Sequence, residues 1–241
     1  MPYAVISDVH ANLHALIAVL ADIKKRKISE IFFTGDAVGY GPRPNECIDL
    51  IKANCKITLA GNHDWAAVGY TDITYFNQYA KHAVAWTTQE LSDEHFNSLT
   101  NFNLIKSSKD HDALFVHATP HEPERWSYIF SVEQVEENFA RFTQSLCFIG
   151  HSHLPVIFEL SNSGELFIHK DLVSKNIGSR YIVNTGSVGQ PRDNDHRSSY
   201  GLVYEDRIEI IRVSYNIKKT QAEMKSAGLP EMLINRLSVG M

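Results

Sequence analysis

The chain has 241 residues, 44% of them hydrophobic and 21% charged, with a formal net charge of −5. That balance suits one soluble globular α/β domain over residues 1–241 with a sizeable core. It argues against bulk nucleic-acid binding, since the longest basic block, Lys24-Lys25-Arg26-Lys27, reads as a solvated helix face, and no uncharged apolar run reaches the ~18–20 residues that span a membrane.

Tyr3 to Ser7 is a short apolar strand, and Asp8 to Asn12 is a polar loop. Leu13, Leu16, Ile17, Leu20 and Ile23 then recur at helical spacing behind Asn12, a candidate N-cap. Glu30 to Thr34 is the next strand and completes a βαβ unit, for which a right-handed parallel crossover is the default. Gly35 to Pro42 is rich in turn formers, and Pro44 opens a second helix with Cys47, Ile48, Leu50 and Ile51 on its apolar face. Lys56 to Ala60 is a third strand, and it delivers Gly61-Asn62-His63-Asp64.

Residues 65–110 break this rhythm and read as helices and loops, with a helix start at Ser92-Asp93-Glu94 and with Trp65, Tyr70, Tyr75, Phe76, Tyr79 and Trp86 available for packing or for flanking a substrate. Ala113 to Val116 is a strand ending at His117. After a loop that carries His121, Arg125 and Trp126, Ser131 and Gln134 stand at capping-box spacing and open a helix through about Gln144. Leu146 to Ile149 is a strand ending in Gly150-His151-Ser152-His153. Five strands follow, at 156–160, 166–169, 181–184, 200–204 and 208–213; their short connections predict hairpins and a largely antiparallel second sheet. The tail, 218–237, reads as helix broken at Gly228-Leu229-Pro230.

Cys47, Cys55 and Cys147 form no C-x-x-C pair and lie among apolar neighbours, so they read as reduced core thiols in a cytoplasmic protein. The opening Met1-Pro2-Tyr3-Ala4-Val5-Ile6 has no basic n-region and meets Asp8 too early for a signal peptide.

Polar residues able to hold a metal stand where apolar runs stop: Asp8, His10, Asp36, Asn62, His117, His151 and His153. Two carboxylates, one amide and four imidazoles suit Mn²⁺, Fe, Zn²⁺, Co²⁺ or Ni²⁺ better than Ca²⁺, which takes oxygen alone. Seven ligands exceed what one ion takes from a protein and suit two divalent ions with a bridging carboxylate. Two such ions can share a hydroxide and can hold the attacking and leaving oxygens of an in-line displacement. The motifs of a zinc protease, H-E-x-x-H, and of a zinc deaminase are absent.

The pattern D-x-H, G-D, G-N-H-D, H, G-H-x-H in this order over residues 8–153 resembles the calcineurin-like metallophosphoesterase family. The resemblance implies an α/β fold, a four-layer α/β/β/α sandwich of two mixed sheets flanked by helices. It implies that Asp8, His10 and His153 hold one metal ion and Asn62, His117 and His151 the other, with Asp36 bridging. It makes His63 the proton donor to the leaving oxygen and Asp64 its orienting partner, where many relatives carry Glu. The segments 8–12, 184–193 and 227–230 also look like the small prokaryotic branch of the family, described as phosphodiesterases, phosphatases or diadenosine polyphosphate hydrolases. Asn12 and Arg192 are the candidate substrate contacts; Asn12 can instead cap its helix, and Arg192 can tie down the C-terminal sheet. The expected substrate is a phosphate mono- or diester: a phosphorylated small molecule, a nucleotide or a phosphoprotein. A non-catalytic interaction module on the same fold is the contrasting reading; such a module would be expected to lack ligands or the proton donor, and here all are present.

Overall fold

In the computed structural model, which describes residues 1–241, the first strand already sets the layering. β1 (Tyr3–Ile6) is buried along its whole length. Alternate side chains of a strand leave opposite faces, so Tyr3 and Val5 enter one core while Ala4 and Ile6 enter another. The side chain of Asn12 accepts the N–H of Ala15 and caps α1 (Leu13–Lys25), whose buried stripe is Ala15, Leu16, Val19 and Ile23. β2 (Ile31–Phe33), α2 (Pro44–Asn54) and β3 (Ile57–Thr58) follow, and β1, β2 and β3 pair in parallel.

Beyond them come α3 (Asn62–Ala67), α4 (Gln78–Glu90), α5 (Asp93–Thr100), β4 (Ile105–Ser108), β5 (Ala113–Val116), a 3₁₀ turn (Pro123–Arg125), α6 (Val132–Phe139) and β6 (Leu146–Ile149). The remainder holds β7 (Val156–Leu160), β8 (Leu166–His169), β9 (Leu172–Ser174), β10 (Arg180–Asn184), β11 (Ser198–Val203), β12 (Arg207–Val213), α7 (Ile217–Ser226) and α8 (Glu231–Arg236).

Two six-stranded sheets result, in the orders β3-β2-β1-β11-β12-β9 and β4-β5-β6-β10-β7-β8. Both are mixed, since β1 runs parallel to β2 but antiparallel to β11, and β10 runs parallel to β6 but antiparallel to β7. The inner core between the sheets holds Tyr3, Val5 and Phe32 against Phe115, Phe148, Tyr181 and Val183. One outer core joins the first sheet to α1 and α2 through Ile6, Phe33, Leu16 and Ile48. The other joins Leu114, Val116 and Ile182 to Val135 and Phe139 of α6. These are the four α/β/β/α layers.

The late strands depart from expectation. They do not make a second sheet of their own, because β11 and β12 return to lie beside β1. There Tyr200 and Leu202 fill the outer core while Val203, Ile208 and Ile210 fill the inner one, an assignment that hairpin spacing does not contain. Two further strands, β4 and β9, carry no sequence signature: Ile105-Lys106-Ser107-Ser108 has no buried residue, and Leu172-Val173-Ser174 has one. α6 stops at Phe139, short of Gln144, where Arg180 of β10 donates to the carbonyls of Phe142 and Gln144 and so takes the chain out of helical register.

Candidate metal centre

The carboxyl ends of β1, β2, β5 and β6, and the turn after β3, meet at one rim of the two sheets. His151 N–H donates to the Asp8 carboxylate at 3.0 Å, Gly150 N–H to the His117 carbonyl at 2.8 Å, and Gly189 N–H to the Asp8 carbonyl at 2.9 Å. Five of the seven candidate ligands have left-handed backbone: Asp8 (φ 52), His10 (φ 47), Asp36 (φ 59), His151 (φ 65) and His153 (φ 60). Non-glycine residues rarely sit there, and such strain collects at functional sites. Gly61 and Gly150 are required by closeness alone. A Cβ on Gly61 would lie 2.1 Å from Asp36 Oδ1, and one on Gly150 would lie 2.3 Å from Asp8 Oδ2.

All seven side chains are buried and converge. Asp8, His10 and His153 bring ligand atoms within 4.8 Å of one another, and so do Asp36, His117 and His151. Asp36 Oδ2 lies 3.5 Å from His10 Nε2 and 3.3 Å from His117 Nε2, which places it between the two groups. His153 Nε2 is 3.3 Å from Asp8 Oδ1 and faces His10 Nε2 at 3.0 Å. The rings are oriented from behind: His10 Nδ1 meets the Val38 carbonyl, His117 Nδ1 that of Thr34 and His153 Nδ1 that of Gln190. A histidine whose Nδ1–H is donated to a carbonyl presents the Nε2 lone pair forward, the usual backing of a metal-bound imidazole.

These residues fit a cation. Asn62 Oδ1 and His151 Nε2 are buried with no hydrogen-bond partner, and a buried polar atom left unpaired is costly. Two Nε2 lone pairs facing at 3.0 Å repel unless positive charge lies between them. The protonation of three candidate imidazoles agrees. Burial pushes His10 and His153 well below the ordinary imidazole value, His63 down to about 4 and His151 down to about 3. For the candidate ligands His10, His151 and His153 this is the neutral form that metal binding needs. Burial opposes charge on Asp36 too, but His117, His63 and His10 outweigh it and hold this carboxyl well below the usual range. Burial also opposes charge on His117, but Asp36 outweighs it and raises that imidazole to about 9, so in the metal-free chain a proton stands where a cation would.

One expectation is corrected here. Asp64 does not touch the His63 ring, whose Nδ1 has no partner. Its carboxylate instead accepts the N–H groups of Asp36 (2.9 Å), Gly61 (2.9 Å) and Val38 (3.1 Å), tying the loop after β2 to the turn before α3. Asn12 is a cap and a tie: its Oδ1 accepts from Ala15 N–H and Thr220 Oγ1, its Nδ2 donates to the Gly189 carbonyl, and it is buried. Arg192 does reach the rim. Its Nη2 donates to Gln190 Oε1 at 3.1 Å, its guanidinium stands 5.7 Å from the Tyr40 ring centroid, and its Nε has no partner.

Sequence reasoning missed Tyr40 and Tyr128. The Tyr40 ring lies 4.6 Å from His10 and 4.4 Å from His63, and Tyr128 stacks on His151 at 4.2 Å. Only the glycines flanking Tyr40 hinted at the first; nothing in the sequence pointed to the second. His63 also meets the Phe76 ring at 5.1 Å, and its backbone N–H donates to Asp36 Oδ1 at 2.9 Å. Asn62, His63 and His151 open onto a cavity of about 330 Å³. Of the other histidines, His14, His95, His111 and His169 pair with carboxylates away from this site.

A model of the calcineurin-like phosphoesterase family matches residues 1–177. A protein of Methanocaldococcus jannaschii described as uncharacterized is 43% identical over 242 residues, covering 98% of this chain and 97% of its own. A metallophosphoesterase from Sphaerobacter thermophilus superposes with a TM-score of 0.87 at 40% identity, covering 100% of this chain and 99% of its own. A hypothetical protein from Pyrococcus horikoshii superposes with a TM-score of 0.82 at 20% identity, covering 100% and 98%, and shares the fold.

Proposed function

The chain belongs to the calcineurin-like phosphoesterase family, and from that premise we propose that residues 1–241 form one domain that hydrolyses phosphate esters at a dinuclear metal centre. Asp8, His10 and His153 would hold one ion, Asn62, His117 and His151 the other, and Asp36 both. The observation that carries this reading is the single Asp36 oxygen standing 3.5 Å from His10 Nε2 and 3.3 Å from His117 Nε2. When bound, the ions would supply Lewis-acid stabilisation of the phosphoryl oxygens and an ionised nucleophile near neutral pH. The mixed oxygen and nitrogen donors favour a transition ion such as Mn²⁺, with Fe, Zn²⁺, Co²⁺ and Ni²⁺ as competitors.

The protein's own groups do the rest. His63 lines the cavity beside Asn62, so an ester seated there has its phosphoryl group at the cluster and its leaving oxygen toward His63. Burial keeps His63 neutral in the free site; a dianionic phosphate nearby favours the charged imidazolium. As the bond from phosphorus to the leaving oxygen breaks, the proton on His63 passes to that oxygen. Arg192 offers a planar fork to the phosphoryl oxygens. Asp64 positions Asp36 by holding its main chain.

The test is metal content and turnover of metal-free protein reloaded with Mn²⁺, beside Asp36→Ala. The substrates are a nitrophenyl phosphomonoester, its diester, diadenosine tetraphosphate and a phosphopeptide. Wild type is expected to bind two ions and to turn over part of this panel; the variant is expected to lose both properties. Two ions retained by Asp36→Ala contradict the shared ligand, and two bound ions with no turnover of any substrate contradict the hydrolase.

A further inference from the structure

Resting on the phosphoesterase reading above, we propose that the preferred substrate is a phosphate ester whose leaving group carries a planar ring, and that Tyr75-Phe76 and Trp126-Tyr128 receive that ring. The cavity of about 330 Å³ that begins at Asn62, His63 and His151 is walled farther out by the aromatic rings of these two segments. It lies within the size range of small-molecule sites. The wall is continuous with the metal cluster: Phe76 is 5.1 Å from His63, and Tyr128 stacks on His151 at 4.2 Å with an interplanar angle of 23°. A leaving group attached to a phosphate at the cluster therefore has ring faces on the way out.

Tyr75, Trp126 and Tyr128 belong to none of the hydrophobic cores, while Phe76 packs at the edge of the one that holds Ala80 and Met224. Tyr75 is 94% exposed and Tyr128 is 39% exposed. An aromatic side chain left in water forgoes the burial that normally stabilises it. Trp126 sits at φ 55, a region that bulky residues rarely occupy. Its indole is fixed edge-on to Trp65 at 5.4 Å and lines the cavity. The opposite segment is braced as well. Lys81 Nζ donates to the Thr74 carbonyl at 2.8 Å, and Asn77 Oδ1 accepts from Tyr79 and Ala80 to cap α4. Phe76 against His63 and Trp126 against Trp65 give this cavity two anchored aromatic edges for a flat ring.

The charges argue for a neutral ring over a second phosphate or an acidic peptide. The cationic residue in the cavity wall, Arg125, is tied to Glu122 at 3.0 Å, and Asp72 adds a carboxylate to the same wall. Stacking tolerates any flat π-face, so an aryl group and a nucleoside meet the same recognition.

The experiment compares kcat/KM for phenyl phosphate, adenosine 5′-monophosphate and glycerol 3-phosphate in metal-loaded wild type, Tyr75→Ala, Trp126→Ala and Trp126→Phe. Wild type is expected to favour one or both ring-bearing esters over glycerol 3-phosphate, and which of the two it favours separates an aryl from a nucleoside site. Trp126→Ala is expected to narrow that ratio about tenfold, the scale of one lost stacking partner, Tyr75→Ala to narrow it as well, and Trp126→Phe to retain most of it. A readout independent of turnover is tryptophan fluorescence of metal-free protein titrated with adenosine 5′-monophosphate and phenyl phosphate; the quench is expected in wild type and lost in Trp126→Phe. Turnover without ring preference in wild type, or a ratio unmoved in Trp126→Ala, overturns the ring site and leaves the hydrolase standing. A quench lost in Trp126→Phe with no hydrolysis of any ester supports the ring site and overturns the hydrolase.

Discussion

Asp64→Asn separates two accounts of one carboxylate. In the structure Asp64 Oδ2 accepts two backbone N–H groups, from Asp36 and Gly61, and Oδ1 accepts a third from Val38. An Asn keeps one oxygen and turns its amide N–H₂ against at least one of these donors. A hydrogen bond to a charged group contributes about 1.5–3 kcal/mol and a neutral one about 1 kcal/mol, so losing one and weakening two costs about 3–5 kcal/mol. Burial opposes the charge of Asp64 and pushes it up to about 7; a neutral amide escapes that penalty, so what remains is the cost of the buried N–H donors left mismatched, about 2–4 kcal/mol. For a chain of this size that is a fall in Tm of about 5–15 °C. Because one donor is the main chain of Asp36, metal content and kcat should fall together. Calorimetry and elemental analysis of wild type and variant measure both. If Asp64 instead oriented His63, the variant would keep its Tm and its metal and would lose kcat alone. That result would refute the clamp.

His63→Ala should lower kcat by about 10²–10⁴, the usual range for a general acid, while metal content stays near wild type; equal turnover would remove His63 from the reaction. Far from this site, Glu159 is buried and accepts from Asn176 Nδ2 (2.9 Å), His169 Nε2 (2.9 Å) and Tyr181 OH (3.2 Å). Burial raises its pKa, but these donors and Ser179 outweigh burial and hold it below the ordinary value. The unfolded carboxyl, near 4.3, thus binds its proton first on acidification. Stability from this group is present above about pH 4.3 and is lost as the pH falls through the folded value. Glu159→Gln should therefore cost about 1–2 kcal/mol in urea unfolding at pH 7 and less at pH 3; a gap independent of pH would refute this.

The amino-acid order by itself determined where the candidate ligands fall and most elements. Each candidate ligand follows an apolar run, and a buried strand can end in a polar residue only where it leaves the sheet, so Ile6, Phe33, Val116 and Ile149 mark the rim. Asn12, Ser92 and Ser131 announced helix starts because a cap is a local bond between neighbours in the chain. What tertiary structure alone decided was pairing across long separations. That β11 lies against β1 depends on which of two cores its apolar face fills, and both cores accept the same residues. The partner of Asp64 had the same character: His63 is its neighbour in sequence, but the N–H groups of Asp36 and Val38 are its neighbours in space. Tyr128 reached His151 through a fold of the chain that no local pattern encodes. Local chemistry is written in spacing; which distant group answers it is settled only when the layers close.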